Sequence, residues 1–295
     1  MMNSFNPYAM LANIAARGLS NQTVNPGDTF DKDGLLVCGV CGQQRQKIIM
    51  VSDPTEDDPD HQTPLKVTAQ CLCEKRKEEA EKKKQETLEA MQRVARLKKA
   101  SLMDEKFKNA TFGRFRETES NARNLKLCKR YATAFDEMLK KNQGLIFWGG
   151  VGTGKSFAAA CIGNYLLDRG VPVMMTSLVK LLELIQGGDE KESDIIARMN
   201  NAKLVIFDDL GAERNTDYAL EKIYNIIDSR YRTQKPMLFT TNLTIDEMTS
   251  ETDIRYSRIY DRIFETCYPM QFVGVSWRMK TANRRFQEME KLFED

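Results

Sequence analysis

Long apolar runs are missing from this chain of 295 residues. None approaches the ~18 consecutive apolar residues that a membrane-spanning helix requires, so no membrane partner is expected. The first residues lack a basic flank followed by an apolar stretch, so no secretory leader is expected either. Excess charge is missing as well. The 44 Lys and Arg against 42 Asp and Glu leave a net charge of +2, too small to mark the whole surface for nucleic acid, and any basic surface must be local. A disulfide framework is also missing. Of the seven cysteines, Cys128, Cys161 and Cys267 are isolated within apolar segments, a pattern that suits a reducing, cytoplasmic setting. No internal repeat is visible.

What the chain does have is Gly149-Gly150-Val151-Gly152-Thr153-Gly154-Lys155-Ser156, which fits G-x-x-x-x-G-K-[ST]. The apolar stretch Gly144–Trp148 reads as a strand feeding this loop, and Phe157–Arg169 reads as the helix that follows it. Glycines let backbone N–H groups turn inward around phosphates, and the helix N-terminus adds partial positive charge. Lys155 is then placed to reach the β- and γ-phosphates, and the Ser156 hydroxyl to ligate Mg²⁺. Downstream, Leu204–Phe207 is an apolar run ending in Asp208 and Asp209. That is a buried strand whose carboxylates emerge at the edge where open α/β sheets bind ligands. Asp208 is the candidate Mg²⁺ ligand and Asp209 the candidate base for an attacking water. Residues 236–242 read as another apolar strand, with Asn242 at its end as a candidate contact to the γ-phosphate or the water.

The N-terminal third has a different character. Residues 1–34 carry Phe5, Tyr8, Leu11 and Ile14 at three-residue spacing. They are expected to form a terminus that packs locally, with a partner-docking amphipathic helix as the alternative. Cys38-Gly39-Val40-Cys41 and Cys71-Leu72-Cys73 then supply two close thiol pairs, as a structural zinc site requires. The single intervening residue makes Cys71 and Cys73 a tight pair, so His61, the one histidine, is an alternative ligand. The acids Asp53, Glu56, Asp57, Asp58 and Asp60 are expected in a solvated excursion. Residues 74–99 are charged helix formers with opposite charges four apart, read as a solvated helix with a thin seam of Leu88, Met91 and Ala95. A second helix is expected over about 121–141. The fold class is α/β: a P-loop domain with a parallel sheet flanked by helices over 111–295. It follows a small zinc-binding, partner-binding domain over 1–73 and a charged helical linker over 74–110.

The motifs occur in a telling order: the loop at 149–156, then Ile206-Phe207-Asp208-Asp209-Leu210-Gly211-Ala212-Glu213, then Leu238-Phe239-Thr240-Thr241-Asn242. Ser257-Arg258-Ile259-Tyr260-Asp261-Arg262-Ile263 and Gly274-Val275-Ser276-Trp277-Arg278 complete the series. Over about 105–280 the chain resembles the AAA+ ATPases that load replicative helicases, of the DnaC/DnaI type, with IstB transposition helpers as near relatives. The cysteines and charged helix resemble the zinc-bearing, helicase-binding domain of the DnaI-like branch. The resemblance implies slow ATP hydrolysis with Mg²⁺, delivery of the helicase onto single-stranded DNA, and a homo-oligomer. In that oligomer Arg262 would be the finger that reaches a neighbour's γ-phosphate, with Arg258 as the alternative. It further implies that Arg278 senses nucleotide within its own subunit. Many AAA+ ATPases carry Glu where this chain has Asp209, a departure that fits slow turnover. An IstB-type transposition helper is the alternative function, and a metabolic P-loop kinase a more distant one.

Overall fold

The computed structural model describes residues 7–53, 61–188, 191–213 and 216–293. The chain divides into two units, Met1–Glu89 and Ala90–Asp295. In the first, α1 (Pro7–Ser20) precedes a short antiparallel pair, β1 (Thr29–Phe30) with β2 (Leu36–Val37). A longer hairpin follows, β3 (Gln46–Ser52) with β4 (Gln62–Thr68), in register from Gln46↔Thr68 to Ser52↔Gln62. The terminus expected to pack locally, whose Phe5 lies outside the described residues, is a helix from Pro7 onward. It lies against β4 and buries Ala15, while Met10, Leu11 and Ile14 stay exposed. Its alanines carry little side-chain entropy to lose, which favours the helix. Arg45, only 2% exposed, donates to the Thr23 carbonyl and pairs with both Asp28 and Glu74. Glu74 lies in the first turn of α2 (Leu72–Ala100), a helix with no buried residues along its 29-residue length. Glu56, Asp57, Asp58 and Asp60 lie outside the described residues. Asp53 closes the hairpin end with its N–H on the His61 carbonyl.

The second unit is built on a parallel sheet of five strands: β5 (Gly144–Trp148), β6 (Val173–Ser177), β7 (Leu204–Leu210), β8 (Met237–Thr241) and β9 (Cys267–Gln271). The spatial order is β6-β7-β8-β5-β9, so β8 is inserted between β5 and β7. Alternate residues of each strand go to opposite faces, and this divides the core in two. Leu145, Phe147, Ile206 and Leu238 pack on one face with α3 (Ala122–Thr133) and α5 (Lys155–Leu167). Ile146, Val205, Phe207 and Phe239 pack on the other with α6 (Leu178–Gly187), α7 (Glu192–Asn201), α8 (Asp217–Arg232) and α10 (Ile254–Thr266). The remaining helices are α4 (Phe135–Lys140), α9 (Ile245–Thr249) and α11 (Trp277–Phe293).

Two expectations change here. The helix expected over 121–141 breaks at Ala134 (φ −98°, ψ 23°) into α3 and α4. The break sets the Tyr131 and Phe135 rings edge to face, both buried, so tertiary packing overrides a continuous helical pattern. The linker expected over 74–110 is α-helical only to Ala100, with one further 3-10 turn at Glu105–Phe107. Met103, Phe107 and Ala110 are buried in the second unit's core, and Asn164 Nδ2 donates to the carbonyls of Phe107 and Ala110 at 2.8 Å each. Among the described residues no helix is long and apolar enough to cross a membrane.

Candidate nucleotide site and thiol cluster

Parallel strands bring their C-terminal ends to one edge, and the expected residues of β5, β7 and β8 meet there. The loop after β5 curls tightly. Gly149 has φ +128°, and a Cβ there would stand 2.3 Å from the Phe272 carbonyl oxygen. Gly152 has φ +78°, and a Cβ there would stand 2.1 Å from Ser276 Oγ. Only glycine fits at either position. The Gly152 carbonyl also accepts the Trp277 N–H at 2.9 Å, which ties the loop to the start of α11.

Lys155 is buried at the head of α5. Its Nζ donates to the carbonyls of Gly149 (2.6 Å) and Gly150 (2.8 Å) and to Asn242 Oδ1 (2.8 Å). Burial lowers its pKa from the usual lysine value, and the charges of Asp209 and Asp208 oppose that shift. Asn242 Nδ2 in turn donates to Asp209 Oδ1 at 3.3 Å. Asn242 is thus the bridge between the loop lysine and the second acid. Asp208 is half-buried, and burial raises its carboxyl above the usual range, opposed by hydrogen bonds from the hydroxyls of Thr240 and Ser156. Ser156 and Asp208 therefore face one another, as two oxygen ligands of one Mg²⁺ must.

A cavity of about 180 Å³ opens between the loop, Asp209, Asn242, Trp277 and Arg278. Arg278, in the first turn of α11, lines that cavity. A second cavity, of about 230 Å³, shares Gly154, Phe157 and Trp277 with the first and adds Arg114, Phe115, Arg116 and Thr281. The Arg116 guanidinium lies 5.9 Å over the Trp277 ring, and the Phe115 and Phe157 rings are 6.0 Å apart. Sequence reasoning assigned nothing to Phe115, Arg116 or Trp277. Their signal was only an aromatic and an arginine beside two motifs far apart in the chain. Glu213 was quoted within a motif but given no role. Burial raises its carboxyl, which accepts the Gly211 N–H at 2.9 Å.

Arg262 stands apart from this edge assembly. Its guanidinium donates to Tyr224 OH (2.9 Å), pairs with Asp228 (2.6 Å) and lies 4.7 Å over the Tyr224 ring, all on α8. Within one chain it is a brace between α10 and α8. Arg258, one turn earlier, is exposed, and its guanidinium makes no hydrogen bond or ion pair among the described residues.

In the first unit, the sulfurs of Cys38, Cys41, Cys71 and Cys73 all lie within 4.8 Å of one another. Four thiolates on a tetrahedral zinc ion stand about 3.8 Å apart, given Zn–S bonds near 2.3 Å, so the cluster fits that ion. The Gln43 N–H leads in drawing the Cys41 thiol down to about 6, while the hydrogen bond to Cys41 leads in pushing Cys73 up to about 12. His61 is not part of the cluster. It precedes the seven-residue β4 while Cys71 follows it, and an extended strand of that length spans about 20 Å. The alternative with His61 as a ligand is therefore set aside.

A family model described as IstB-like ATP binding protein matches residues 68–285. The replicative helicase loader DnaC of Escherichia coli strain K12 is 28% identical over 160 residues, which is 52% of this chain and 63% of that protein. The chain thus spans less than two thirds of that relative's length. Among solved structures, a crystal structure of DnaI has a TM-score of 0.51 at 22% identity, covering 59% of this chain and 94% of that one. A crystal structure of the DnaC helicase loader gives 0.51 at 21%, covering 58% and 100%. At such identities the likeness shows the fold alone, a parallel five-stranded sheet flanked by helices.

Proposed function

Since this chain belongs to the IstB-like ATP-binding protein family, we propose that its second unit binds and hydrolyses ATP. On this reading the whole protein loads the replicative DNA helicase onto single-stranded DNA in the cytoplasm. One observation carries the reading: the phosphate loop, Asp209, Asn242 and Arg278 surround a single cavity, with Ser156 and Asp208 at its side. A triphosphate entering there takes the N–H groups of the loop and the N-terminus of α5. Lys155 exchanges the carbonyls of Gly149 and Gly150 for phosphate oxygens. The adenosine moiety occupies the adjoining cavity, where Phe115, Phe157 and Trp277 offer apolar faces. Ser156 and Asp208 would hold Mg²⁺, which when bound neutralises charge on the phosphoryl oxygens. Asp209 takes the proton of the attacking water, Asn242 holds that carboxylate toward the γ-phosphate, and Arg278 contacts phosphate in its own subunit.

The four cysteines would hold a structural zinc ion that shapes the first unit for gripping the helicase, with no open position for chemistry. Arginine from α10 of a neighbouring copy would complete the site in a homo-oligomer, through Arg258 or through an Arg262 released from Asp228. The test is co-purification with candidate replicative helicases in ATP and in ADP, alongside ATP turnover with and without single-stranded DNA. Association that ignores nucleotide state removes the loading cycle. The resemblance to IstB transposition helpers supplies one further reading, a transposition helper. Capture of a transposase and preference for duplex DNA would select it.

A further inference from the structure

The second acid of β7 sits on a backbone kink that plain strand alternation does not produce. Phe207 pairs with Phe239, but the next pair is Leu210 with Thr241. Two residues of β7, Asp208 and Asp209, therefore stand opposite one residue of β8, Thr240. The extra residue shows in the packing. Phe207 and Leu210 belong to the same core face although they are three apart, whereas a regular strand sends residues three apart to opposite faces. Asp209 absorbs the kink with φ +61°, the left-handed region that residues with a Cβ avoid and Asp tolerates better than most.

One hydroxyl holds this arrangement. Thr240 is completely buried. Its Oγ1 accepts the Asp209 N–H at 3.0 Å and donates to Asp208 Oδ1 at 2.6 Å. A hydroxyl has one donor and two acceptor positions, so it serves both acids at once. Thr241 closes the far side of the bulge, its Oγ1 donating to the Leu210 carbonyl at 2.8 Å. The consequence for the two carboxylates differs. Asp208 is fixed on the side of Ser156. Asp209 is carried out of the strand to the sheet edge, where its short side chain reaches Asn242 Nδ2. In a regular strand Asp209 would instead point into the face packed against α8.

We infer that Thr240 is a positioning residue for hydrolysis, a conclusion that rests on the ATP-hydrolysis reading above. It touches no substrate. It sets the backbone of Asp209 and the carboxylate of Asp208 through one buried oxygen. The bulge it pins is what lets an aspartate serve at this position.

The test compares the full chain with Thr240→Val, which keeps the shape and loses the hydroxyl, and with Thr240→Ser, which keeps the hydroxyl. Steady-state ATP turnover, equilibrium binding of a fluorescent ATP analogue with Mg²⁺, and melting temperature are read for each. The expected result is a kcat for Thr240→Val lowered roughly tenfold to a hundredfold, the scale of a misplaced catalytic group. Analogue affinity should stay within about threefold, and Thr240→Ser should recover kcat to within about threefold. If Thr240→Val does not fold, Thr240→Cys carries the same comparison, because a thiol donates and accepts weakly. A kcat within about twofold of wild type overturns the inference, as does a loss shared equally by binding and turnover that serine fails to restore. If the wild-type chain itself turns over no ATP, with DNA and without, the hydrolysis reading falls and this inference falls with it. That failure is recognised by all variants being equally inactive while still binding the analogue.

Discussion

Two arginines one turn apart on α10 should fail in different ways when each is replaced by alanine. Arg262 is only 21% exposed and Asp228 only 14%. Arg262→Ala removes a cation–π contact over Tyr224, about 0.5–1 kcal/mol. It also removes a charged hydrogen bond to Asp228, about 1.5 kcal/mol. Asp228 keeps Arg232 Nε at 2.8 Å, so it is not left unpaired and the larger penalty of a stranded charge does not apply. The sum is about 2 kcal/mol, or about 4–8 °C of melting temperature for a unit of this size. Arg258→Ala removes no hydrogen bond or ion pair of the guanidinium among the described residues and should stay within about 0.5 kcal/mol of wild type. If Arg258 is the residue that crosses to a neighbour, its loss lowers turnover of the assembled protein by about 10³-fold. Mixing Arg258→Ala chains with Lys155→Ala chains should then restore part of the activity, since the second kind lacks a working phosphate loop but still supplies Arg258. Melting curves and turnover at fixed total protein, for each variant and the mixture, decide the matter. An Arg262→Ala chain that melts with wild type refutes the brace. Full turnover by Arg258→Ala, with Arg262→Ala inactive, returns the crossing role to Arg262.

Asp209→Asn should keep ATP binding within a few fold and abolish turnover, measured by analogue binding and phosphate release; persistent turnover removes Asp209 as the base. Metal analysis of the purified chain should find one zinc per chain. Cys71→Ser should lose it and loosen the first unit to proteolysis, while ATP-analogue binding by the second unit remains; a metal-free wild-type chain of unchanged stability would sink the zinc site. Burial raises the Glu213 carboxyl above its ordinary value of 4.5, so the folded chain holds that proton more tightly than the unfolded one. The stability from that proton is fully present below pH 4.5 and is lost as pH rises through the folded value. Glu213→Gln, which can still accept the Gly211 N–H, should therefore melt higher than wild type at pH 7–8 and converge with it below about pH 4.5; an offset that does not change with pH would contradict the burial argument.

How much of the fold is legible in the residues follows from how local each signal is. Gly149 to Ser156 carries its own explanation, because the glycines, the lysine and the following helix act within one loop. The strand at 204–207 and the charged helix after Cys73 were legible for the same reason, as apolar runs and charge spacing belong to single elements. Ala134 offers no such signal. It ends a helix only because Tyr131 and Phe135 must turn into one core. The partner of Arg262 was equally hidden, since Asp228 lies on another helix and meets it only when α8 and α10 pack. The pair Asp208-Asp209 falls between these cases. Its place near the end of an apolar strand was legible, but alternation alone sends neighbouring acids to opposite faces, one of them into the packing against α8. Asp209 reaches the sheet edge because Thr240, on a neighbouring strand, holds the extra residue open. The residue that makes an aspartate usable there lies inside a Thr-Thr-Asn strand ending, and only the register between β7 and β8 turns it from a strand end into a support for both acids.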